Sequence, residues 1–359
     1  METMEKKLPF ACDYMQGGHP KVMETLMETN HLSTDGYGLD PFCEDAKKRI
    51  LNACDCNGGD VAFFLGGTQA NATMIHALLS SYQGVVCADT GHINVHEAGA
   101  VEFGGNKVLP LPHENGKLMP HTLADYLDRF FSDETYQHMV IPGMVYLTQP
   151  TELGTLYSLD ELKQIRSICD TYHLPLYVDG ARLAYALASP ENTISLKDLA
   201  KYTDVFYIGG TKCGALFGEA VVLPNPKKIP YLFTIIKQHG ALLAKGRLLG
   251  LQFKELFTDK LYYKCGETAI KSAIRIQDTL KELGYPLYQE SATNQLFFVM
   301  EDAALLEFGN LVNYGFWEKI DAQHTVIRLV TSWYTKEEDV DKLIELLKTY
   351  KRSNECHRI

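Results

Sequence analysis

Short apolar runs alternate with amphipathic stretches along most of this chain of 359 residues. Two of the stretches between these runs have apolar residues at the spacing of a surface helix: TQANATMIHALLSSY and SLDELKQIRSICDTYH. Parallel strands need crossovers of about a dozen residues or more, and these stretches supply them. The pattern therefore predicts an α/β fold, with a mainly parallel sheet and helices on both faces. Seven runs are predicted to be its strands: residues 61–64, 84–88, 107–111, 144–148, 176–179, 205–208 and 220–223.

The pattern changes near residue 250. Four later segments have the patterns of a helix, two strands and a final helix: AIKSAIRIQDTLKELG, NQLFFVM, VIRLVTSW and EEDVDKLIELLKTY. A chain of this length favours one large domain and a smaller one over a single compact unit. We expect residues 1–250, with the N-terminal segment included, to form a large α/β/α domain. Residues 251–359 are expected to form a small C-terminal α+β domain.

Composition excludes several classes of partner. The formal net charge is −11, so neither nucleic acid nor an acidic membrane surface is an expected partner. Nine cysteines, an odd number scattered along the chain, predict reduced thiols in the cytoplasm. The first residues, METMEKKLPF, lack the apolar core of a signal peptide, and no run approaches the ~18 apolar residues of a membrane helix. We therefore expect a soluble, cytoplasmic protein.

Polar residues that directly follow predicted strands are candidate ligand contacts, because open α/β sheets bind ligands at the carboxyl ends of their strands. Gly66, Gly67 and Thr68 precede a predicted helix, where free amides and a hydroxyl suit a phosphate. A plain helix cap after a tight turn explains the same residues. Asp179 ends another predicted strand, and Arg182 follows three residues later. Both are candidate ligand contacts, but Asp179 could instead cap the next helix or pair with Arg182.

Lys212 follows the strand at residues 205–208 and two glycines, where a lysine that merely reaches water is the simple interpretation. It lies 33 residues after Asp179, a distance of one helix and one strand, so both side chains can face one crevice. Pyridoxal 5′-phosphate (PLP) requires a lysine that forms a Schiff base and an acid that pairs with the pyridinium nitrogen. A partly desolvated lysine has a lowered pKa and is a nucleophilic amine. The spacing therefore favours a PLP site.

Nearly the whole chain resembles the threonine aldolases of the beta-eliminating lyase group, which are fold-type-I PLP-dependent enzymes. The resemblance rests on seven motifs in order: GYGLDPFCEDAKKRI, GGTQANATM, GHINVHEAGA, YVDGARLAYAL, GGTKCGALFGEAVV, TNQLFFV and IRLVTSW. It implies the fold-type-I PLP-dependent transferase fold. It also implies retro-aldol cleavage of L-threonine, L-allo-threonine or a related β-hydroxy-α-amino acid to glycine and an aldehyde, the reaction of an aldehyde-lyase.

The resemblance implies a role for each cofactor contact. Lys212 would hold PLP as a Schiff base, Asp179 would keep its ring nitrogen protonated, and Arg182 would lie near its phenolate oxygen. His92 would stack on the ring. The phosphate would be bound by the first turn of the helix, at Gly67, Thr68 and the amide of Gln69.

Substrate contacts follow from the same resemblance. Arg328 would grip the substrate carboxylate through its planar fork. Asp13 would contact the substrate, beside Cys12, which stands where a Ser is common. Tyr37 would approach the site from a neighbouring subunit, which implies a homodimer or homotetramer with active sites at the subunit interface.

Two sites depart from the family pattern. In TQPTELGTLYS, Glu152 stands where many of these aldolases carry a His that contacts the β-hydroxyl, so Glu152 is a candidate catalytic base; a loop carboxylate paired with a cation is the alternative. His92 and water are the other candidate bases. HGALLAKGRLLG lacks the arginine that binds phosphate in some relatives, and Lys245 or Arg247 could replace it.

Other functions stay open on the sequence. A racemase, a β-eliminating lyase or an aminotransferase would use the same fold and cofactor, and a non-catalytic PLP-binding protein would keep the fold alone. His92 and His96, four residues apart, could bind a metal in a hydrolase, but no third ligand is evident and we expect no metal. We expect His96 to be packed and Glu97 to bond either backbone or the His92 ring.

Overall fold

A seven-stranded sheet forms the centre of the molecule in this computed structural model, which describes residues 7–356. Side by side, its strands are β2 (Asp60–Phe64), β8 (Glu219–Leu223), β7 (Val205–Gly209), β6 (Leu176–Asp179), β5 (Ile141–Thr148), β3 (Gln83–Ala88) and β4 (Lys107–Leu111). The strands pair in parallel, except that β8 runs antiparallel to both of its neighbours. All seven strands predicted from the sequence lie within these bounds, so the mainly parallel sheet is confirmed.

Helices cover both faces of this sheet. Side chains of successive strand residues point to opposite faces, and Val85 and Val86 accordingly belong to two different buried clusters. The helices are α1 (Pro20–Glu28), α2 (Pro41–Ala53), α3 (Gly67–Leu78), α4 (His92–Val95), α5 (Ala100–Phe103), α6 (Pro120–Ser132), α7 (Leu159–Thr171), α8 (Leu183–Ala188), α9 (Leu196–Tyr202), α10 (Leu232–Gln238) and α11 (Arg247–Leu256).

A second, antiparallel sheet lies in the C-terminal part of the chain. Its strands, in spatial order, are β12 (Gly315–Lys319), β13 (His324–Val330), β10 (Gln295–Glu301) and β9 (Leu287–Gln289). Helices α12 (Leu261–Glu282), α13 (Asp302–Leu311) and α14 (Glu337–Cys356) accompany it. The helix, two strands and helix predicted from the sequence correspond to α12, β10, β13 and α14.

The start of the chain joins this C-terminal part. Strand β1 (Leu8–Pro9) pairs in parallel with β11 (Val312–Asn313), and Leu8 and Phe10 are buried in the apolar cluster of the second sheet. The sequence assigned the N-terminal segment to the large domain. In the structure the first described residues pack on the C-terminal elements, where their apolar side chains are buried, and the domain boundaries stay a prediction.

The candidate residues gather at one edge of the large sheet. Asp179 ends β6, Lys212 follows β7, Glu152 follows β5 and His92 begins α4 after β3. Helix α3 begins directly after β2. Within residues 7–356, none of the helices combines the length and the apolar character that crossing a lipid bilayer requires.

Candidate active site

Two cavities open at this edge of the sheet. The smaller, of about 270 Å³, is lined by Gly66, Gly67, Thr68, Asp179 and Glu219 among others. The larger, of about 780 Å³, reaches the second sheet at Arg328 and Trp317. The two cavities adjoin, since both are lined by Tyr14, His92, Glu152, Arg182 and Lys212.

Lys212 is partly buried where the two cavities meet. The hydroxyl of Tyr185 donates to its backbone carbonyl. Burial and the nearby charge of Arg182 lower the pKa of Lys212 below its usual value. More of its amine is therefore unprotonated at neutral pH than in a free lysine, as a nucleophilic amine requires.

Asp179 is buried and held by three donors. Its Oδ2 accepts from the Tyr146 hydroxyl at 2.6 Å and from Asn71 Nδ2 at 3.0 Å, and its Oδ1 accepts from the backbone N of Ala181 at 2.9 Å. Burial and the charge of Asp179 raise the pKa of Tyr146 well above its usual value, so Tyr146 keeps the proton that it donates. These three bonds hold the carboxylate in place at the smaller cavity.

His92 is oriented by a second buried carboxylate, Glu97. The Glu97 Oε1 lies 2.7 Å from the His92 Nδ1 and also accepts from Asn71 Nδ2 at 2.7 Å. The contact of Glu97 with the His92 ring was one of two expected from the sequence. Because Nδ1 faces the carboxylate, it carries the ring proton, and Nε2 is left free when the imidazole is neutral.

Asn71 thus links the carboxylates of Asp179 and Glu97. Sequence analysis assigned no role to Asn71, Glu219 or Tyr146. One signal was present, since Asn71 is a polar residue on the buried face of α3, between Ala70 and Met74.

Glu152 lies on the loop after β5 and is 9% exposed. Its Oε1 accepts from the backbone N of His92 at 2.8 Å, and its Oε2 accepts from the Thr148 hydroxyl at 3.0 Å. Burial raises the pKa of Glu152 to about 7. A carboxyl group that titrates near neutral pH can both take and return a proton, as general acid–base catalysis requires.

Arg182 is fixed by two bonds to Asp13. The Arg182 Nε lies 2.6 Å from Asp13 Oδ2 and its Nη2 lies 3.1 Å from Oδ1. Asn294 Nδ2 also donates to Oδ2, at 2.9 Å. Burial acts to raise the pKa of Asp13, but Arg182 and Lys212 outweigh it and the net pKa is lowered.

The contact expected between Asp13 and the substrate stays a prediction, and in this structure Asp13 bonds Arg182 and Asn294. Asp13 is 1% exposed, and both of its oxygens are used by Arg182. Its place behind Arg182 makes it a residue that positions the guanidinium.

Arg328 projects from β13 in the second sheet and lines the larger cavity. Its Nη1 donates to Gln295 Oε1 at 3.1 Å, and its guanidinium carbon lies 5.9 Å from the centre of the Trp317 ring. Its Nε is buried and has no hydrogen-bond partner among the residues that the structure describes. The guanidinium thus has donors left for an anion in the cavity.

The turn that begins α3 is closely packed under the smaller cavity. A Cβ atom on Gly67 would lie 2.9 Å from the Tyr207 hydroxyl, so any larger residue here would have to displace that hydroxyl. Gly66 caps the helix without a side-chain bond, and Thr68 follows in its first turn. The Gln69 side chain accepts from the backbone N of Leu65 at 3.3 Å. The backbone N–H of Gln69 lies in the first turn of α3, where backbone donors have no partner within the helix.

The family to which the sequence belongs is consistent with an active site of this kind. The family described as beta-eliminating lyase matches residues 10–303. The chain belongs to the beta-eliminating lyase family. It is 31% identical to a low specificity L-threonine aldolase of Pseudomonas sp. (strain NCIMB 10558), over 93% of this chain and 95% of that protein.

Two solved structures resemble this beta-eliminating lyase in fold. Leishmania major threonine aldolase is 38% identical, with a TM-score of 0.92 over 96% of this chain and 99% of its own. The structure of SPT with a PLP internal aldimine has a TM-score of 0.72 over 97% of this chain and 88% of its own. At 15% identity, SPT shows a likeness of fold alone. The resemblance to threonine aldolases and the fold-type-I architecture are thereby confirmed.

Two residues of this beta-eliminating lyase lie apart from the cavities. Tyr37 lines a separate apolar pocket with Leu39 and Phe233, and the Lys237 Nζ lies 4.6 Å from its ring centre. Arg247 donates to the backbone carbonyls of Leu32, at 2.7 Å, and Thr29, at 2.5 Å, so its guanidinium is not free for a phosphate.

His96 packs beside the site. Its ring centre lies 5.5 Å from that of His92 and 6.2 Å from that of Trp317. Within the described part of the chain, no three His, Cys, Asp or Glu side chains are grouped so as to hold a metal ion.

Proposed function

We propose that this protein is a PLP-dependent lyase of the low-specificity L-threonine aldolase type. It would cleave L-threonine, L-allo-threonine or a related β-hydroxy-α-amino acid to glycine and an aldehyde. The observation that carries the proposal is the buried carboxyl of Glu152, with a pKa of about 7, in the cavity that also contains Lys212 and Arg328. The names of its relatives from Pseudomonas and Leishmania support it.

The residues around the smaller cavity fit PLP. Lys212 offers an amine of lowered pKa, and Asp179 offers a carboxylate held by three donors. Gly67 and Thr68 offer the free amides of a helix start, which suit a phosphate. PLP, when bound, supplies an electron sink for the charge left on the substrate carbon as a bond at that carbon breaks.

The protein's own groups would bind the substrate and move its protons. Arg328 would hold the carboxylate and so fix which bond at the α-carbon is set to break. Glu152, ionised, would take the proton of the β-hydroxyl while the Cα–Cβ bond breaks and the aldehyde forms. Lys212 lines the same cavity, and its amine would return a proton to the α-carbon to complete glycine.

A β-hydroxyl contact separates this reaction from the alternatives. An aminotransferase or a racemase needs no base at that position, and the assignment of the buried Glu152, with its intermediate pKa, to this contact therefore favours the aldolase. We therefore place the racemase, β-eliminating lyase and aminotransferase second, and the non-catalytic PLP-binding protein after them.

We further propose a cytoplasmic homodimer or homotetramer, in which Tyr37 enters the site of a neighbouring subunit. Tyr37 is 42% exposed, and its backbone φ of 60° is in the left-handed region. Leu39 and Phe233 beside it are 63% and 52% exposed. Such a patch of large apolar side chains is typical of a protein interface.

The test of this function is a product assay on the purified protein supplied with PLP. L-Threonine and L-allo-threonine should each give glycine and acetaldehyde in equal amounts. Ammonia with 2-oxobutanoate in place of the aldehyde would instead support elimination, and 3-hydroxy-2-oxobutanoate without free ammonia, in the presence of an added keto acid as amino acceptor, would support transamination. Inversion at the α-carbon alone, which converts L-threonine to D-allo-threonine, would support the racemase.

Replacing Glu152 with glutamine tests the base directly. The amide can still accept from His92 N, and the Thr148 hydroxyl can turn to accept from the new NH₂ group. We expect kcat for cleavage to fall by about 10²–10³-fold. Glycine binding, measured by its dissociation constant, should change by less than about threefold, because Arg328 still holds the carboxylate.

The pH dependence of kcat/KM tests whether Glu152 acts in its ionised form. A base works only when ionised, so the wild-type kcat/KM should rise about tenfold per pH unit below pH 7 and level off above it, given the Glu152 pKa of about 7. Glu152→Gln should lack this rise. Equal losses in cleavage and in glycine binding, with the acid limb kept, would remove Glu152 from the role of base.

A further inference from the structure

Glu219 is a buried carboxyl in the smaller cavity that the proposed reaction leaves unused. It is 4% exposed and is the first residue of β8. In the sheet it lies opposite Phe64 of β2 on one side and Gly209 of β7 on the other. The turn that starts α3 follows Phe64, and Lys212 follows Gly209, so Glu219 stands between the phosphate-binding turn and the lysine.

Few groups compensate a charge on Glu219. Its Oε2 accepts from the backbone N of Gly210 at 3.0 Å. Burial raises the pKa of Glu219 to about 8, although Thr211 and Lys212 act to lower it. The charged groups that act on it are Lys212 and Asp179. The titratable groups that also face it are neutral at pH 7: Tyr177, Tyr207, Tyr262 and Cys213.

An ionised carboxylate in this position would repel the ligand for which the turn is built. The turn at Gly67 and Thr68 offers amides to an anion, and Glu219 lines the same cavity of about 270 Å³. A second negative charge at close range disfavours ionisation, whereas a protonated carboxyl donates a hydrogen bond to a phosphate oxygen.

We propose that Glu219 is a neutral carboxylic acid that donates a hydrogen bond to the phosphate of the cofactor, so that the phosphate binds only while Glu219 is protonated. The proposal rests on PLP being the cofactor, as proposed above. Glu219 then belongs to the phosphate site, together with the start of α3. No proton leaves the pair on binding at neutral pH, because Glu219 already carries it.

A proton link of this kind sets the pH dependence of binding. The phosphate has a second pKa of about 6, so it is a dianion throughout pH 7–9. Glu219 loses its proton around its pKa of about 8. If only the protonated form binds, the dissociation constant should rise about tenfold between pH 7 and pH 9.

The experiment uses 4-deoxypyridoxine 5′-phosphate, which has no aldehyde and cannot react with Lys212. Its dissociation constant is measured by fluorescence titration at pH 7–9 on the full chain freed of cofactor. The wild type should show the tenfold rise, and Glu219→Gln should show none, because the amide stays neutral and can still accept from Gly210. 4-Deoxypyridoxine, which lacks the phosphate, should bind both proteins alike at each pH and so shows that the variant is folded.

Two further variants separate Glu219 from its neighbours. Glu152→Gln removes another buried carboxyl of the same cavity and should keep the tenfold rise. Lys212→Ala should keep the rise but move it to higher pH, because the lysine charge no longer favours the carboxylate. The proposal would be overturned if the dissociation constant rose equally in wild type and Glu219→Gln, or if this rise were lost only in Lys212→Ala. Failure of the wild type to bind PLP at any pH would instead overturn the proposed function.

Discussion

Lys212→Ala is expected to abolish both the visible absorbance of the lysine-linked cofactor and the cleavage of L-threonine. The amine of Lys212 is the group that the structure offers for covalent attachment, with a pKa lowered by burial and by Arg182. Alanine has no nucleophile, and we expect kcat/KM to fall by at least about 10³-fold. The measurements are an absorbance spectrum after addition of PLP and an assay of acetaldehyde release.

The fold should survive this change. The side chain of Lys212 lines the cavities, whereas the strand before it is fixed by backbone bonds and by the Tyr185 hydroxyl on the Lys212 carbonyl. Far-ultraviolet circular dichroism should therefore match that of the wild type. Lys342→Ala, which removes an exposed lysine of α14, is the matched control and should keep colour and turnover. A Lys212 variant that keeps both would show that another residue holds the cofactor.

Asp179→Asn is expected to reduce kcat by about 10²–10³-fold, the range seen when one preorganised electrostatic group is removed from a site. The neutral amide cannot stabilise a protonated ring nitrogen, so the electron sink weakens. Stability should fall too. Oδ1 and Oδ2 of Asp179 both accept from donors, and the amide nitrogen must face one of them. A buried mismatch of this kind costs about 1–3 kcal/mol.

Two comparisons separate the electronic effect from the structural one. Tyr146→Phe removes one donor to Asp179 and keeps its charge, so kcat should fall by about tenfold or less. N-Methyl-PLP carries a fixed positive charge on its ring nitrogen and should restore part of the activity of Asp179→Ala, without a change in melting temperature. An Asp179→Asn enzyme of full activity would remove this carboxylate from the mechanism.

The sequence was sufficient to predict the sheet and the pair formed by Asp179 and Lys212 at its edge. Strand positions follow from apolar runs, and a parallel sheet brings the ends of neighbouring strands to one edge. Asp179 at the end of β6 and Lys212 after the adjacent β7 therefore had to lie near each other. Arg328 required the family resemblance, since no local pattern connects β13 with the large sheet.

The sequence was insufficient for contacts that depend on side-chain packing. Asn71 links Asp179 to Glu97 only because α3 presents one particular face to β5 and β6. Glu219 belongs to the phosphate edge only because β8 runs antiparallel between β2 and β7. Asp13 lies behind Arg182 for a similar reason, since the path of the N-terminal segment is set by tertiary packing.

The path of residues 8–13 ties together parts of the molecule that are far apart in the chain. Leu8 and Pro9 pair with Val312–Asn313, and a few residues later Asp13 bonds both Arg182 of the large sheet and Asn294 beside the second one. The change of pattern near residue 250 is therefore no place to divide a gene for separate expression. A C-terminal fragment would lose its first strand, and an N-terminal fragment would keep Asp13 without Asn294 or Arg328. Only the whole chain assembles one site.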